Sequence, residues 1–324
     1  MIPETELKTL FDTHLKNKLA ALEITRKNIL KRYAIGLLLV VSLAAANYFL
    51  VAQKPPDYVI VISVGLSAIG GFYYLYKTSQ HKFNYILNFK STVVAEIVKQ
   101  IDSSWQYVYD SCINERNYQQ SGLFPHHYDR YRGEDFVSGR IDKTDFEFSE
   151  LHTKYKRVTY GAKGRRQEQW ITIFRGLFMH ADFNKNFSGT TFVLPDTAER
   201  LLGAFGQSLQ KLSGRGELVK LENPEFEKRF VVYSSDQVES RYILTPAIME
   251  SIVNISNRFG GEIYFSFVGS RVYFANSINQ ELFEPSIFRS GVNFRDVKEM
   301  FDLFEMILVL VQELNLNTRI WTKK

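Results

Sequence analysis

The sequence predicts an α+β chain, with an N-terminal two-helix transmembrane hairpin extended by amphipathic helices and then a mixed α+β cytoplasmic domain rich in antiparallel hairpins. Three observations predict it. Two uncharged apolar runs, residues 34–51 and 58–76, are separated by only Gln53, Lys54, Pro55, Pro56 and Asp57. Apolar stripes at three- and four-residue spacing flank this pair, and beyond Asn117 the pattern changes to short aromatic segments punctuated by glycine.

Each apolar run approaches the roughly 20 residues that a helix needs to cross a hydrocarbon core about 30 Å thick. Arg26, Lys27, Lys31 and Arg32 precede the first run, Lys77, Lys82 and Lys90 follow the second, and the connection holds only Lys54. Basic flanks stay on the cytoplasmic side, so the expected topology is a membrane protein with two spans and both termini cytoplasmic. Tyr33, Tyr48, Phe49, Tyr58, Tyr73, Tyr74 and Tyr76 sit near the span ends, where amphipathic rings favour the interface. A cleaved signal peptide fits poorly, because the first apolar run starts late and a second follows at once.

Before the hairpin, Leu7, Phe11, Leu15, Leu19 and Leu22 share one helical face. After it, Phe83, Ile86, Leu87, Val94, Ile97, Val98, Ile101, Trp105, Val108 and Cys112 form a longer stripe. The expected organisation is therefore a cytoplasmic amphipathic helix at 1–32, the hairpin at 33–77, a stalk helix at 78–117 and an α+β head at 118–324. Strands are expected at 135–141, 146–154, 169–180, 190–194, 218–221, 230–233, 262–268 and 271–275, the last two joined by Gly269 and Ser270 in a turn with a positive first φ. Asp196 with Glu199 reads as a capping box for a helix over 198–212, Thr245 and Pro246 open another that stops near Gly260 and Gly261, and a last helix begins around Asn293.

Composition fits a folded unit on an anchor: 45% hydrophobic and 15% aromatic residues supply a core, and the formal charge of +5 is mild. A positive excess beside a bilayer suits anionic lipid, and nucleic acid is not an expected partner. The single cysteine, Cys112, excludes an internal disulfide and reads as a small buried hydrophobe.

Chemistry-bearing patterns are few. The chain has no phosphate-binding loop, nucleophile elbow, cysteine pair or His-Glu-x-x-His helix, and no cofactor or metal is expected. His126 and His127 are adjacent and cannot share a metal as an i, i+4 pair does, so they read as surface loop residues. Glu134, Asp135, Asp142 and Asp145 carry carboxyls suited to acid and base work but read first as a solvated hairpin rim. Asp182, Asn184 and Lys185 follow a strongly apolar strand as a candidate polar site, with an Asx-type turn as the structural alternative. Asn223 and Pro224 open a turn in which Glu227 is expected to pair with Arg229 or Arg241. Lys154, Lys156, Arg157, Lys163, Arg165 and Arg166 surround Tyr155, Tyr160, Gly161 and Gly164 and read as a flexible basic loop, the candidate contact for anionic lipid or a partner.

Three stretches carry a family resemblance. The first is Ser121, Gly122, Leu123, Phe124 with Asp129, Arg130, Tyr131, Arg132, Gly133, Glu134, Asp135; the second is Phe174, Arg175, Gly176, Leu177, Phe178, Ala181, Asp182, Phe183, Asn184, Lys185, Gly189, Val193, Leu194, Pro195, Asp196. The third holds Glu222, Asn223, Pro224, Glu225, Phe226, Glu227, Phe230, Val232, Tyr233, Asp236, Glu239, Arg241, Tyr242, Leu244, Thr245 and Pro246. Together they resemble the bacterial family built on a domain of unknown function numbered 3137. The resemblance implies a bacterial inner-membrane protein with a cytoplasmic domain, brings no catalytic residues, and suggests a LemA-type or other membrane protein as a partner. The expected function is a membrane-anchored interaction or scaffold protein that recruits a protein or lipid and is open to homo-oligomerisation through the small residues Gly65, Ala68, Gly70 and Gly71. The alternative is a membrane-tethered, hydrolase-like enzyme with a dispersed acidic site.

Overall fold

In the computed structural model, residues 3–160, 164–183, 186–197 and 215–314 are described. The two apolar runs lie in two long helices, α1 (Glu4–Ala52) and α2 (Asp57–Ile101), each long and apolar enough to cross a membrane. Single π-helical turns interrupt them at Phe11–Leu15 and Lys90–Val94. Pro56 caps α2, and Lys54 takes a positive φ of 50° in the connection. Leu37, Leu38, Val61 and Phe72 are each at least 67% exposed, so these are not the core helices of a globular fold. Where the helices face each other, Asn47 accepts from the Ser63 hydroxyl at 2.8 Å and donates to Ser67 Oγ at 3.1 Å. Tyr74 donates its phenol to the Arg32 carbonyl at 3.0 Å.

The chain divides into two compact units, one of residues 1–97 with 283–300, the other of 98–282 with residues from 301 onward. In the helical unit the expected stripe of Leu7, Phe11, Leu15 and Leu19 is buried, as are Ile86, Val94 and Ile97 of the second helix. The 283–300 segment joins this core. Ile287 packs with Ile29, Tyr85 and Ile86, and Phe11 meets Phe294 edge to face at 5.6 Å. Arg26 grips Glu23 through Nε and Nη2 at 2.8 and 2.6 Å and donates to the Ile287 carbonyl at 2.6 Å, while the Gly291 amide donates to Glu23 at 3.0 Å. The Arg26 hydrogen bonds, outweighing the opposing effect of burial, hold the Glu23 carboxyl down at about 2.

The second helical stripe ends earlier than its apolar spacing suggests. Asp102 accepts from the Ser104 amide at 2.8 Å and its hydroxyl at 2.7 Å, closing a turn. Trp105, Val108 and Cys112 therefore leave the helix, and Gln106–Val108 becomes strand β1. After helix α3 (Glu115–Gln120) come β2 (Arg130–Ile141), β3 (Thr144–Tyr160), β4 (Arg166–Asp182), β5 (Thr190–Pro195) and β6 (Glu217–Val219). A one-turn helix α4 (Pro224–Glu227), β7 (Phe230–Ser234), α5 (Gln237–Ile243), α6 (Pro246–Phe259), β8 (Glu262–Val268), β9 (Arg271–Ser277) and α7 (Phe294–Glu313) complete the order. The strands form one antiparallel sheet in the order β1-β2-β3-β4-β9-β8-β5-β7-β6. All eight expected strands are present. The helix expected over 198–212 lies outside the described residues.

Local chemistry accounts for the new helix boundaries. Thr245 caps α6 by accepting from the Ile248 amide, and Gly260 ends it at φ 63°. Asp236 caps α5 and Asn223 caps α4, so the Asn223-Pro224 turn is a helical one. Glu227 pairs with neither arginine there; it accepts from the Leu221 amide at 2.8 Å and so fixes the entry to that turn.

Alternation along β3 sorts the two faces of the sheet. Ser149, Leu151 and Thr153 join a face of aromatic residues that includes Tyr118, Phe174, Phe178, Phe192, Tyr264 and Tyr273. Phe148 and Glu150 point the other way, where Phe148 meets Phe304 of α7 at 5.7 Å and Arg258 of α6 pairs with Glu305 of α7 at 2.7 Å. Gly176 on β4 has φ 145°, and a Cβ there would lie 2.1 Å from the Asn276 carbonyl oxygen, so the β4–β9 approach requires glycine.

Candidate functional site

The sheet gathers three carboxylates that are far apart in sequence. Glu134 on β2 sits opposite Glu150 on β3, and Glu281 reaches the same point from the segment after β9. One carboxylate oxygen from each lies within 4.8 Å of the others. Glu150 is 5% exposed and accepts from the Leu282 amide at 3.1 Å; Glu281 is held by Arg175 at 2.5 Å. Arg132, His152 and Leu151 complete the hollow. Burial, then the neighbouring Glu281, pushes the Glu150 carboxyl well above the usual carboxylate range, which favours its neutral, proton-donating form. The arrangement combines a carboxyl that favours its neutral form, two further carboxyls and an imidazole.

Only Glu134 of this group was a sequence candidate. Glu150 and Glu281 carry no motif; the single clue to Glu150 is a carboxylate inside the apolar alternation of an expected strand. Asp135 departs from the expected solvated rim. It is 1% exposed at φ 58°, next to the β2–β3 register shift, and accepts from the Tyr107 phenol at 2.5 Å. Burial and then the Asp135 charge drive the Tyr107 phenol far above its usual range. Asp145 does lie at the hairpin rim, exposed and paired with Arg140 at 2.6 Å; Asp142 takes the turn with φ 53°.

The basic segment is mostly strand, not a flexible loop. Lys154, Lys156 and Arg157 belong to β3 and Arg166 opens β4, with Arg165 just before it; Lys163 lies outside the described residues. The pairing runs on to Tyr160 opposite Arg166, past the last partners of β2 and β9, so the β3–β4 end is a two-stranded ribbon. The β-branched and aromatic residues Tyr155, Val158, Thr159, Trp170 and Ile171 favour that extension over a glycine-rich loop. Glu168 neutralises part of the charge, binding Lys156 at 2.5 Å and Arg166 at 2.7 Å, and Arg130 stacks over Trp170 at 3.6 Å.

Asp182 ends β4 opposite Arg271 and lines an open hollow with His180, Glu147 and Arg140. His180 is buried and sits 3.0 Å from Glu147, whose carboxyl it lowers. Asn184 and Lys185 lie outside the described residues. His126 and His127 are separated in role as well as direction, His126 stacking on Tyr155 and His127 on Tyr128. Cys112 is half-buried against the aromatic face, where burial pushes its thiol up.

No curated protein matches this chain. Among solved structures, the crystal structure of the mycobacterial trehalose monomycolate transport factor A, TtfA, aligns over 67% of this chain and 93% of its own, at 11% identity and a TM-score of 0.30. Likeness at that level carries no argument about function. The resemblance read over the head is matched from Thr172 onward and not over Ser121–Asp135: residues 172–316 match the family model described as a protein of unknown function, DUF3137.

Proposed function

We propose that the chain is a membrane-anchored interaction or scaffold protein of the bacterial inner membrane, with both termini and the sheet unit on the cytoplasmic side. The supporting observation is the pair of helices whose uncharged stretches expose their large apolar side chains. Such surface is stable in lipid and costly in water. The basic flanks set the orientation. The sheet unit recruits a protein or lipid partner, a LemA-type membrane protein or a second copy among them, and the basic β3–β4 ribbon rests on the anionic leaflet.

The topology is tested by placing single cysteines at Lys54 and at Arg157, in a Cys112→Ser background, in intact cells; labelling of both or neither by an impermeant thiol reagent defeats it. Recruitment is tested by purifying the full chain from gently solubilised membranes after cross-linking. Recovery with no stoichiometric partner rejects the scaffold.

A membrane-tethered hydrolase is the second reading, favoured by the convergence of Glu134, Glu150 and Glu281. It requires that Glu150→Gln abolish an activity that Asp145→Asn leaves intact.

A further inference from the structure

The aromatic face of the sheet unit holds a cavity of about 380 Å³, open between the loop after α3 and strands β4, β5 and β8. That volume suits a small ligand. Its walls are largely apolar, with Leu123, Phe124, Phe174, Leu194 and Tyr264, and two arginines reach them: Arg175, which is paired with Glu281, and Arg215. Arg215 is 4% exposed, lies 5.1 Å from the Phe192 ring, and donates from Nη2 to the carbonyls of Gly122 at 3.1 Å and Leu123 at 2.6 Å. Its Nε and Nη1 are buried and have no hydrogen-bond partner among the described residues. Glu262, the carboxylate in the same wall, is engaged elsewhere, accepting from the Tyr264 phenol at 3.0 Å and the Thr197 hydroxyl at 2.9 Å.

A buried charge is stable when it is paired, and unsatisfied buried donors are costly. Here the ring of Phe192 and two carbonyls hold the guanidinium in place, and no carboxylate among the described residues pairs with it. Burial lowers its pKa to about 10, so it stays charged at neutral pH. Aromatic walls, with one arginine already paired to Glu281 and the other without a carboxylate partner among the described residues, suit an occupant that is apolar over most of its surface and carries an oxyanion at one end.

We propose that this cavity binds an anionic amphiphile whose carboxylate or phosphate oxygen accepts from Arg215 and whose apolar body lies along Phe124, Phe174 and Leu194. The site is independent of the membrane reading, since every residue in it belongs to the sheet unit. Arg215 supplies the charge, while the aromatic wall excludes water and lengthens the range over which that charge acts.

The test uses the full chain in nanodiscs, with empty discs as the blank, and follows binding of dansylundecanoate by fluorescence. Saturable binding above the blank is expected, displaced by decanoate or decyl phosphate, and the order of these two identifies the headgroup. Decanol, which has the chain without the charge, should compete roughly ten- to hundredfold more weakly, the loss that follows from one charge-assisted hydrogen bond. Inorganic phosphate should compete poorly as well. Arg215→Met should remove the difference between decanoate and decanol, and Leu194→Trp should block the probe while Arg215 remains. Absence of saturable binding, equal competition by decanol, competition by inorganic phosphate as strong as by decyl phosphate, or unchanged headgroup preference in Arg215→Met each overturns the proposal. Should Arg215→Met fail to fold, the competitor order on the unaltered chain decides.

Discussion

Replacing Arg26 with methionine should destabilise the helical unit by about 3 to 5 kcal/mol, the usual cost of leaving one partner of a buried ion pair behind. The side chains of Arg26 and Glu23 are only 7% and 13% exposed, and the arginine supplies two of the three hydrogen bonds that Glu23 receives. Without it the carboxylate keeps one backbone donor. The depression of the Glu23 carboxyl by those same bonds, from 4.5 to about 2, corresponds to about 3 kcal/mol at neutral pH. Because the folded pKa is depressed, this contribution is fully present above about 4.5 and is lost as pH falls through about 2. The assay is amide hydrogen exchange at Gly291 in the detergent-solubilised full chain, with thermal unfolding beside it. Arg26→Met should raise Gly291 exchange by two orders of magnitude or more, whereas Glu23→Gln with Arg26→Met should recover part of the loss. A single variant costing under about 1 kcal/mol, or a double variant as unstable as the single, would show that the pair is not a desolvated one.

Glu150→Gln should flatten the stability of the sheet unit against pH. The carboxyl is raised by burial, so its ionisation costs stability as pH climbs above the ordinary carboxylate range; melting temperatures compared from pH 5 to 9 should fall in the native chain and not in the variant. Gly176→Ala should destabilise the sheet by about 2 kcal/mol or more, through its φ of 145° and the clash with the Asn276 carbonyl, as read by denaturant unfolding; a neutral result means that β9 can retreat. Asn47→Leu should weaken helix pairing by about 0.6 to 1.7 kcal/mol by removing the bonds to Ser63 and Ser67, measured by steric trapping in bicelles. Arg157→Gln with Arg165→Gln should reduce quenching of Trp170 by brominated anionic lipid in nanodiscs, each residue contributing about 1 kcal/mol; equal quenching in zwitterionic discs removes the lipid contact.

Periodicity revealed the elements whose cause is local. The apolar runs of the hairpin, the Thr245-Pro246 start and the Gly269 turn all act within a few residues, and so they are legible along the chain. Strand β1 was not legible: three residues with no alternation pair with β2 because the Asp102 turn brings them there. The β3–β4 ribbon was underestimated because Gly161 and Gly164 signal a turn without saying how far pairing extends on either side. The acidic group was half legible at best. Glu134 and Glu150 meet through cross-strand register and Glu281 through the path after β9, and neither relation leaves a trace in local spacing. Arg215 was invisible for the same reason, as nothing around it in sequence shows that a sheet face will close over it.

The clasp of Arg26 on the Ile287 carbonyl joins residues 261 positions apart. At about 5 to 20 residues per second, roughly 13 to 50 s separate synthesis of the arginine from synthesis of its acceptor. During that interval α1 and α2 have emerged, yet Ile29, Tyr85 and Ile86 lack the Ile287 that completes their cluster, and the Gly291 amide that steadies Glu23 does not yet exist. The helical unit is thus begun first and completed only after all nine strands of the sheet have been made. A nascent chain stalled before residue 283 carries an open seam at that cluster, which is where a chaperone or a quality-control protease would distinguish an incomplete chain from a complete one.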